Sequence, residues 1–171
     1  MSSDLSAPGT VFAMPLDEGR QGIGQVVHRL GDSDRPFYVA VFDGLHDDDD
    51  IDEALAQPPV LIALTMDALL NHKTWPVLGC RDIALDRSML PAYREDTADP
   101  QSALVVDHSG ERGKPADPEL ADRLQYWTVV APIRVDKAFR AMNGDGEWDE
   151  LYDELRPPEP DLTTGSIFGS S

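Results

Sequence analysis

The chain has 171 residues, with 14 Lys and Arg against 32 Asp and Glu, so its formal net charge is −18. A surface this acidic repels nucleic acid and anionic membranes, which excludes both as expected partners. The single cysteine, Cys80, cannot form an internal disulfide, the N-terminus is unlike a signal peptide, and no run reaches the roughly 18 apolar residues that span a bilayer. These features predict a cytoplasmic protein.

Three short apolar runs near the N-terminus predict a three-stranded antiparallel meander. Turn-forming residues separate the runs, which cover residues 11–14, 23–28 and 37–42. The second turn is predicted at residues 31–34. Gly22 and Gly24 lie in or beside the second run, where glycine usually marks a bulge or a close backbone approach. We therefore expect a small, strongly twisted and curled sheet.

Further short strands and helices are predicted along the rest of the chain. Apolar runs predict strands at residues 60–64, 75–80, 103–107, 112–116 and 127–131. Helical spacing or helix-forming residues predict short helices at residues 51–56, 66–71, 118–126, 135–142 and 147–155. Residues 83–101 are irregular and predict a long connection. In the last helix, Trp148, Leu151, Tyr152 and Leu155 recur at the spacing of one α-helical face.

These elements predict an α+β fold. We expect a curled, mostly antiparallel and partly barrel-like sheet of about six to eight strands, with short helices at its periphery. Residues 1–8 are small and polar and predict a flexible lead-in. Residues 9–155 are expected to form a single globular domain. Residues 156–171 follow a proline-rich boundary, are rich in Gly, Ser and Thr, and predict a disordered tail.

The sequence carries no motif for catalysis, a metal or a cofactor. A calcium loop needs an acidic first ligand and a bidentate Glu at its twelfth position. With Gly146 at the sixth position, Ala141 occupies the first and Tyr152 the twelfth. The four histidines lack zinc-ligand spacing, and hydrolase, phosphate-loop and metalloprotease motifs are absent. We therefore expect no metal, no cofactor and no enzymatic activity.

Two acidic segments are the candidate partner-binding sites. Residues 43–53 contain seven acids and no base, and residues 145–154 contain six acids and no base. Like charges held close together oppose folding, so this density favours a use in binding; the alternative is a solvated acidic face. Trp and Tyr dominate interface hot spots and supply candidate anchors. The candidate residues are Asp47, Asp48, Asp49, Asp50, Asp52, Glu53, Asp145, Glu147, Trp148, Asp149 and Tyr152.

The N-terminal strands also carry a family-like pattern. Residues 9–16 read Gly-Thr-Val-Phe-Ala-Met-Pro-Leu, and residues 22–26 read Gly-Ile-Gly-Gln-Val. This opening resembles that of the immunity protein 26 family, whose members tend to begin with Gly-x-x-Phe-x-Ile-Pro-Leu and then a Gly-Phe-Gly-Arg-Val-like strand. The resemblance covers most of residues 9–82 and extends more faintly to residues 127–155. Gln25 departs from the pattern, because it replaces a frequent basic residue.

The resemblance implies an antidote of a bacterial polymorphic toxin system, which binds and blocks a toxin that sister cells deliver. Many such toxins are nucleases, which tend to be basic, and an acidic inhibitor can occupy the surface meant for phosphates. We therefore expect a protein that neutralises a cognate, basic toxin by direct contact. Two alternatives stay open: an acidic adaptor or chaperone for a secreted effector, and a small enzyme or calcium-binding protein that uses the acids.

Overall fold

The computed structural model describes residues 4–32 and 35–169. Its contacts divide the chain into two compact units. The first unit contains Met1–Leu85 and Val129–Arg156, and the second contains Asp86–Thr128 and Pro157–Ser171. The predicted single domain over residues 9–155 thus spans parts of both units. The chain passes from one unit to the other at residues 85–86, 128–129 and 156–157, and a proline-rich stretch marks only the last of these crossings. The turn predicted at residues 31–34 lies partly outside the described residues.

Short strands and helices build both units. The strands are β1 Thr10–Pro15, β2 Gln21–Arg29, β3 Phe37–Phe42, β4 Pro59–Thr65, β5 Val77–Cys80, β6 Tyr93–Asp96, β7 Ala103–Val106 and β8 Gly113–Ala116. The α-helices are α1 Ile51–Leu55, α2 Ala68–Asn71, α3 Pro118–Arg123, α4 Pro132–Met142 and α5 Thr164–Phe168. The α+β prediction is confirmed, but the strands form two antiparallel sheets instead of one, with the orders β4-β3-β2-β1-β5 and β6-β7-β8.

The first unit packs α4 against one face of the five-stranded sheet. Phe139 of α4 lies directly over β2, since a Cβ atom built on Gly22 would come within 2.1 Å of its ring. The sequence predicted a bulge or a close backbone approach at this glycine, and the structure instead places a side-chain ring there. Phe12 of β1 shares this main core and stacks on the ring of Trp75, with centroids 5.0 Å apart. Any side chain at Gly22 would clash with the Phe139 ring, so the ring or α4 would have to move.

The opposite face of the same sheet carries α1. Successive strand residues point to opposite faces, so Val11 and Ile23 lie on the side away from Phe12. They form a small core with Ile51 and Ala54 of α1. The predicted meander of β1, β2 and β3 and the predicted helix at residues 51–56 are both confirmed, and together they fix the acidic segment before α1 onto this face.

Gln25 is the residue whose role the sequence left open. Its side chain is fully buried on the face that also carries Val11. Its Nε2 donates to the carbonyl oxygens of Arg81 and Asp82 at 3.2 and 3.0 Å, and its Oε1 accepts from the Ala84 backbone N–H at 2.9 Å. An uncharged amide satisfies both donors and acceptors of this segment, so Gln25 ties the chain after β5 to the centre of the sheet.

A polar network lies at the border of the main core. Trp75 Nε1 donates to Asp136 Oδ1 at 2.9 Å, and Arg140 Nε donates to the other oxygen of the same carboxylate at 2.9 Å. Arg140 also donates to Asp145 at 2.9 Å and to the Pro15 carbonyl at 3.1 Å. Hydrogen bonds to Asp136 and then to Asp145 raise the pKa of Arg140. The network joins α4 to β1 and to the turn that follows α4.

The second unit surrounds β6, β7 and β8 with α3 and α5. Ala92, Val105, Leu124 and Leu162 form its buried core. The predicted hairpin at residues 103–116 and the helix at 118–126 are present, although α3 ends at Arg123. The connection predicted at residues 83–101 instead contains β6. Its polar sequence, Tyr-Arg-Glu-Asp, gives no apolar signal, because the strand is held by backbone pairing to β7.

Residues 157–169 are folded in the structure, which differs from the predicted disordered tail. Leu162 is buried, and the Thr164 backbone N–H donates to the Leu90 carbonyl at 2.8 Å. The ring of Phe168 lies under the Arg112 guanidinium and the Lys114 ammonium, at 5.1 and 5.3 Å from its centroid. A few apolar residues outweigh the Gly, Ser and Thr content of this segment because each of them reaches a partner in the second unit.

Three further expectations differ from the structure. Residues 127–131 form no strand; the Val130 backbone N–H donates to the Leu64 carbonyl at 2.8 Å, and Thr65 Oγ1 donates to the Val130 carbonyl at 2.7 Å. Residues 147–155 contain a 3-10 helix, Glu150–Leu155, so the side chains repeat every three residues and Leu151 is 59% exposed. In the predicted lead-in, the described part is fixed: Ser6 is buried, and Arg29 forms an ion pair with Asp4.

Candidate partner-binding surface

The first acidic segment lies on a short helical stretch anchored to the sheet. Asp48–Asp50 forms a 3-10 helix that runs directly into α1. Ile51 and Ala54 are buried, so the residues between and before them remain in solvent. Asp50 is half-buried, and the other candidate acids are exposed, namely Asp47, Asp48, Asp49, Asp52 and Glu53. The structure therefore presents these carboxylates together on one surface.

Few neighbouring groups offset this charge. Arg81 Nε pairs with Asp52 Oδ1 at 3.1 Å, but 42% of the arginine side chain and 84% of the aspartate side chain are exposed. An exposed pair of this kind contributes at most about 1 kcal/mol. Gln21 Nε2 donates to Asp48 Oδ1 at 2.6 Å without changing the net charge. The segment therefore stays strongly acidic, as a surface that attracts a basic partner must be.

The second acidic segment is used within the first unit. Asp145 pairs with Arg140, and Asp149 Oδ1 accepts from the Leu151 backbone N–H at 2.9 Å, which caps the 3-10 helix. Glu154 pairs with Arg134 of α4 at 2.6 Å. Glu147 is exposed. Asp145 and Glu154 are therefore paired with arginines of α4, and Asp149 is used as a helix cap.

The aromatic residues of the second segment also face inward. Trp148 and Tyr152 are half-buried, pack against the main core and meet edge to face at 5.3 Å. Trp148 Nε1 donates to Asp153 Oδ1 at 2.8 Å, and the Arg156 guanidinium lies 4.2 Å from the centre of its ring system. Their role as interface anchors stays a prediction, and the structure gives both rings contacts within the unit.

The strongly exposed aromatic side chains of the described residues are found elsewhere. Tyr126 is 51% exposed and Trp127 is 39% exposed, both in the second unit. The sequence placed Trp127 at the start of a core strand because Val129, Val130 and Ala131 follow it. After α3 the chain makes only an isolated bridge from Tyr126 to Arg94 and no strand, and no sequence signal near Trp127 distinguishes an exposed ring from a buried one.

A buried carboxylate organises the turn between β7 and β8. Asp107 accepts from Ser109 Oγ at 2.8 Å and from Arg112 Nε at 3.0 Å, and also from backbone N–H groups of the turn. Burial raises the pKa of Asp107, but the hydrogen bonds from Ser109 and Arg112 outweigh it and hold the pKa below its ordinary value. The turn therefore depends on an ionised Asp107.

Metal-binding and membrane-spanning features were sought in the same residues. Within residues 4–32 and 35–169, no three His, Cys, Asp or Glu side chains converge in a way that could hold a metal ion. No described helix combines the length and the apolar character needed to cross a membrane.

Comparison with known proteins identifies a family pattern in more than half of the chain. A family model described as Immunity protein 26 matches residues 7–104. The matched range contains β1 to β6 and the first residues of β7. No curated protein and no solved structure matched the chain.

Proposed function

The chain belongs to the immunity protein 26 family, and from this membership we propose that it binds and neutralises a cognate bacterial toxin by direct contact. The family match over residues 7–104 is the observation that carries the proposal. In this proposal the protein is an inhibitor without a cofactor, acts in the cytoplasm of the cell that makes it, and binds neither nucleic acid nor a membrane.

The charge of the chain supports a basic toxin as the partner. The net charge is −18, and residues 47–53 present exposed carboxylates on a short helix anchored to the sheet. A nuclease that binds phosphates carries a positive surface, and an acidic inhibitor is attracted to that surface. We assign to Asp47, Asp48, Asp49, Asp50, Asp52 and Glu53 the role of speeding the encounter. In the second candidate set, Asp145 pairs with Arg140 and Asp149 caps the 3-10 helix. Glu147, Trp148 and Tyr152 stay candidate contacts of the partner in this proposal.

The test uses the toxin domain encoded beside the gene for this chain. We expect co-expression of the chain to restore growth of cells that make the toxin, and the two purified proteins to elute as one complex. A toxin from an unrelated locus serves as the control and should stay active. A toxin that binds the chain but keeps its activity would favour an adaptor or chaperone. A toxin that neither binds nor loses activity would exclude the proposal.

A further inference from the structure

The second unit carries an open groove of about 550 Å³ beside the exposed aromatic pair. Residues of β6, the end of β7 and the β7–β8 turn line it, together with Tyr126 and Trp127. Its size is within the range of roughly 300–1,000 Å³ that ligand-binding clefts occupy. The groove can therefore accept one or two large side chains of a partner.

Both aromatic rings of the groove are held in place from inside the unit. Trp127 Nε1 donates to the His108 carbonyl oxygen at 3.3 Å. Tyr126 Oη donates to the Asp96 carboxylate at 3.1 Å, and the backbone of Tyr126 bridges to Arg94 of β6. Because their polar atoms are already bonded, the rings offer apolar and π surface to a partner, and a fixed ring loses little entropy on binding.

The charges around the groove favour a cation on the partner. Arg94 pairs with Asp96 at 3.1 Å and approaches Asp122 at 3.8 Å, so two carboxylates offset its charge. Glu95 adds an exposed carboxylate to the lining. The Arg94 guanidinium lies 5.4 Å from the centre of the Tyr126 ring, which shows that an aromatic face here already accepts a cation. An acidic segment would be repelled by the same carboxylates.

The position of the rings in the chain also bears on their use. Tyr126 and Trp127 lie outside residues 7–104, which match the family model. A surface that distinguishes one toxin from another is expected to include residues beyond the shared family pattern, since specificity depends on contacts that differ between partners. Exposed Trp and Tyr side chains are also the residues that most often carry binding energy at interfaces.

We propose that this aromatic groove, lined by Arg94, Glu95, Asp96, Val106, Tyr126 and Trp127, anchors a basic segment of the toxin. An arginine or lysine of the toxin lies against the exposed ring of Trp127 and pairs with Glu95. This inference rests on the proposed function and adds to it a division of roles. The acids at residues 47–53 speed association, and the aromatic groove determines how long the complex lasts.

The experiment measures association and dissociation rates with the toxin domain encoded beside the gene for this chain. We expect Trp127→Ala to raise the Kd at least about 30-fold, mainly through faster dissociation, as for a hot-spot residue. Trp127→Phe keeps an aromatic face and should retain most of the affinity. Met89→Ala is the matched control, because Met89 is 51% exposed in the same unit, and it should leave the Kd within about twofold.

A second variant guards against loss of folding in Trp127→Ala. Glu95 is exposed, so Glu95→Lys should leave the thermal unfolding midpoint unchanged and still weaken binding about tenfold. Glu119→Lys, at an exposed acid of α3, is its charge-matched control. If Glu95→Lys binds as tightly as the wild type, the charge assignment is wrong whatever Trp127→Ala does.

The outcomes separate this inference from the proposed function. If the wild-type chain neither binds nor neutralises the toxin, both the proposed function and the groove inference are wrong. If the wild-type chain binds the toxin and the Kd values of Trp127→Ala and Glu95→Lys are within twofold of the wild-type value, only the groove inference is wrong. The proposed immunity function is then retained. A wild-type dimer that Trp127→Ala converts to a monomer, with unchanged toxin affinity, overturns the inference because the occupant is then a second copy of the chain.

Discussion

The two acidic segments of the first unit have similar compositions and different structural surroundings. At residues 47–53 the carboxylates point into solvent from a helix that is anchored by Ile51 and Ala54. In the segment at residues 145–154, Glu154 and Asp145 pair with Arg134 and Arg140 of α4, and Asp149 caps the helix that follows. The difference teaches that acid density alone does not identify a binding surface; the nearby bases decide whether the acids are available.

The largest loss of stability is expected when the Arg140 side chain is removed. Arg140→Ala removes two ion pairs and leaves the buried carboxylate of Asp136 without its charged partner. Breaking a buried pair typically costs 3–5 kcal/mol, and Arg140 is partly exposed, so we expect about 3 kcal/mol lower stability in urea unfolding. Arg81→Ala is the matched control for the first segment and should cost less than about 1 kcal/mol. Equal losses for the two variants would contradict the comparison.

The buried carboxylate of Asp107, in the second unit, gives a prediction about how stability depends on pH. Asp107→Asn removes the charge that accepts from Ser109 and Arg112, and we expect about 2 kcal/mol of lost stability at pH 7. Because the folded pKa of Asp107 is lowered, its contribution is complete above the unfolded pKa of about 3.9 and disappears as pH falls through the folded value. Urea unfolding of both proteins at several pH values should show the difference shrinking below about pH 4. A difference independent of pH would exclude this role of the charge.

A smaller effect is expected at the cap of the 3-10 helix. Asp149→Ala removes the acceptor for the Leu151 backbone N–H and should cost about 1 kcal/mol. The corresponding change in the first segment, Asp49→Ala, removes an exposed acid, and we expect a change within about 0.5 kcal/mol. Thermal unfolding of the two variants under identical conditions measures the contrast. A cap variant as stable as Asp49→Ala would mean that the cap contributes nothing.

The last prediction concerns rate and not stability. Replacing Asp47, Asp48, Asp49 and Asp50 by Asn should slow association with the cognate toxin by about threefold to tenfold at low salt, and should flatten the dependence of the rate on salt. Urea unfolding should be unchanged. The same measurement after Glu147→Gln and Asp149→Asn in the second segment should show a smaller change in rate. An unchanged rate and salt slope in the first variant would show that the toxin docks elsewhere.

Local signals predicted the regular elements of the first unit. Alternating or continuous apolar residues identified β1 to β4. The Asp run before Ile51 and the prolines at 58 and 59 identified α1. Most of the differences between the predicted and the observed structure come from long-range contacts. Gln25 bonds to residues 81–84, about 56 positions away, and β6 is defined by its pairing with β7. Neither partner is visible from the neighbouring sequence.

At the candidate site, too, local features could be predicted and long-range contacts could not. The exposure of residues 47–53 could be predicted, because adjacent carboxylates beside a short amphipathic helix are costly to bury and therefore remain in solvent. The partners of the second segment could not be predicted, since Glu154 meets Arg134 from 20 positions away. The 3-10 geometry of Glu150–Leu155 also changes which residues share a face, so Leu151 is exposed although the α-helical spacing placed it beside Leu155.

The order of the two units along the chain has a consequence for synthesis on the ribosome. The five-stranded sheet of the first unit is complete once β5 has been made, but α4 follows only after the whole of Asp86–Thr128. Translation proceeds at roughly 5–20 residues per second, so the apolar face around Phe12 and Val39 stays uncovered for several seconds before Phe139 is synthesised. A nascent chain with such a face is prone to aggregate or to engage chaperones. Slow translation of Asp86–Thr128 should lower the yield of soluble protein.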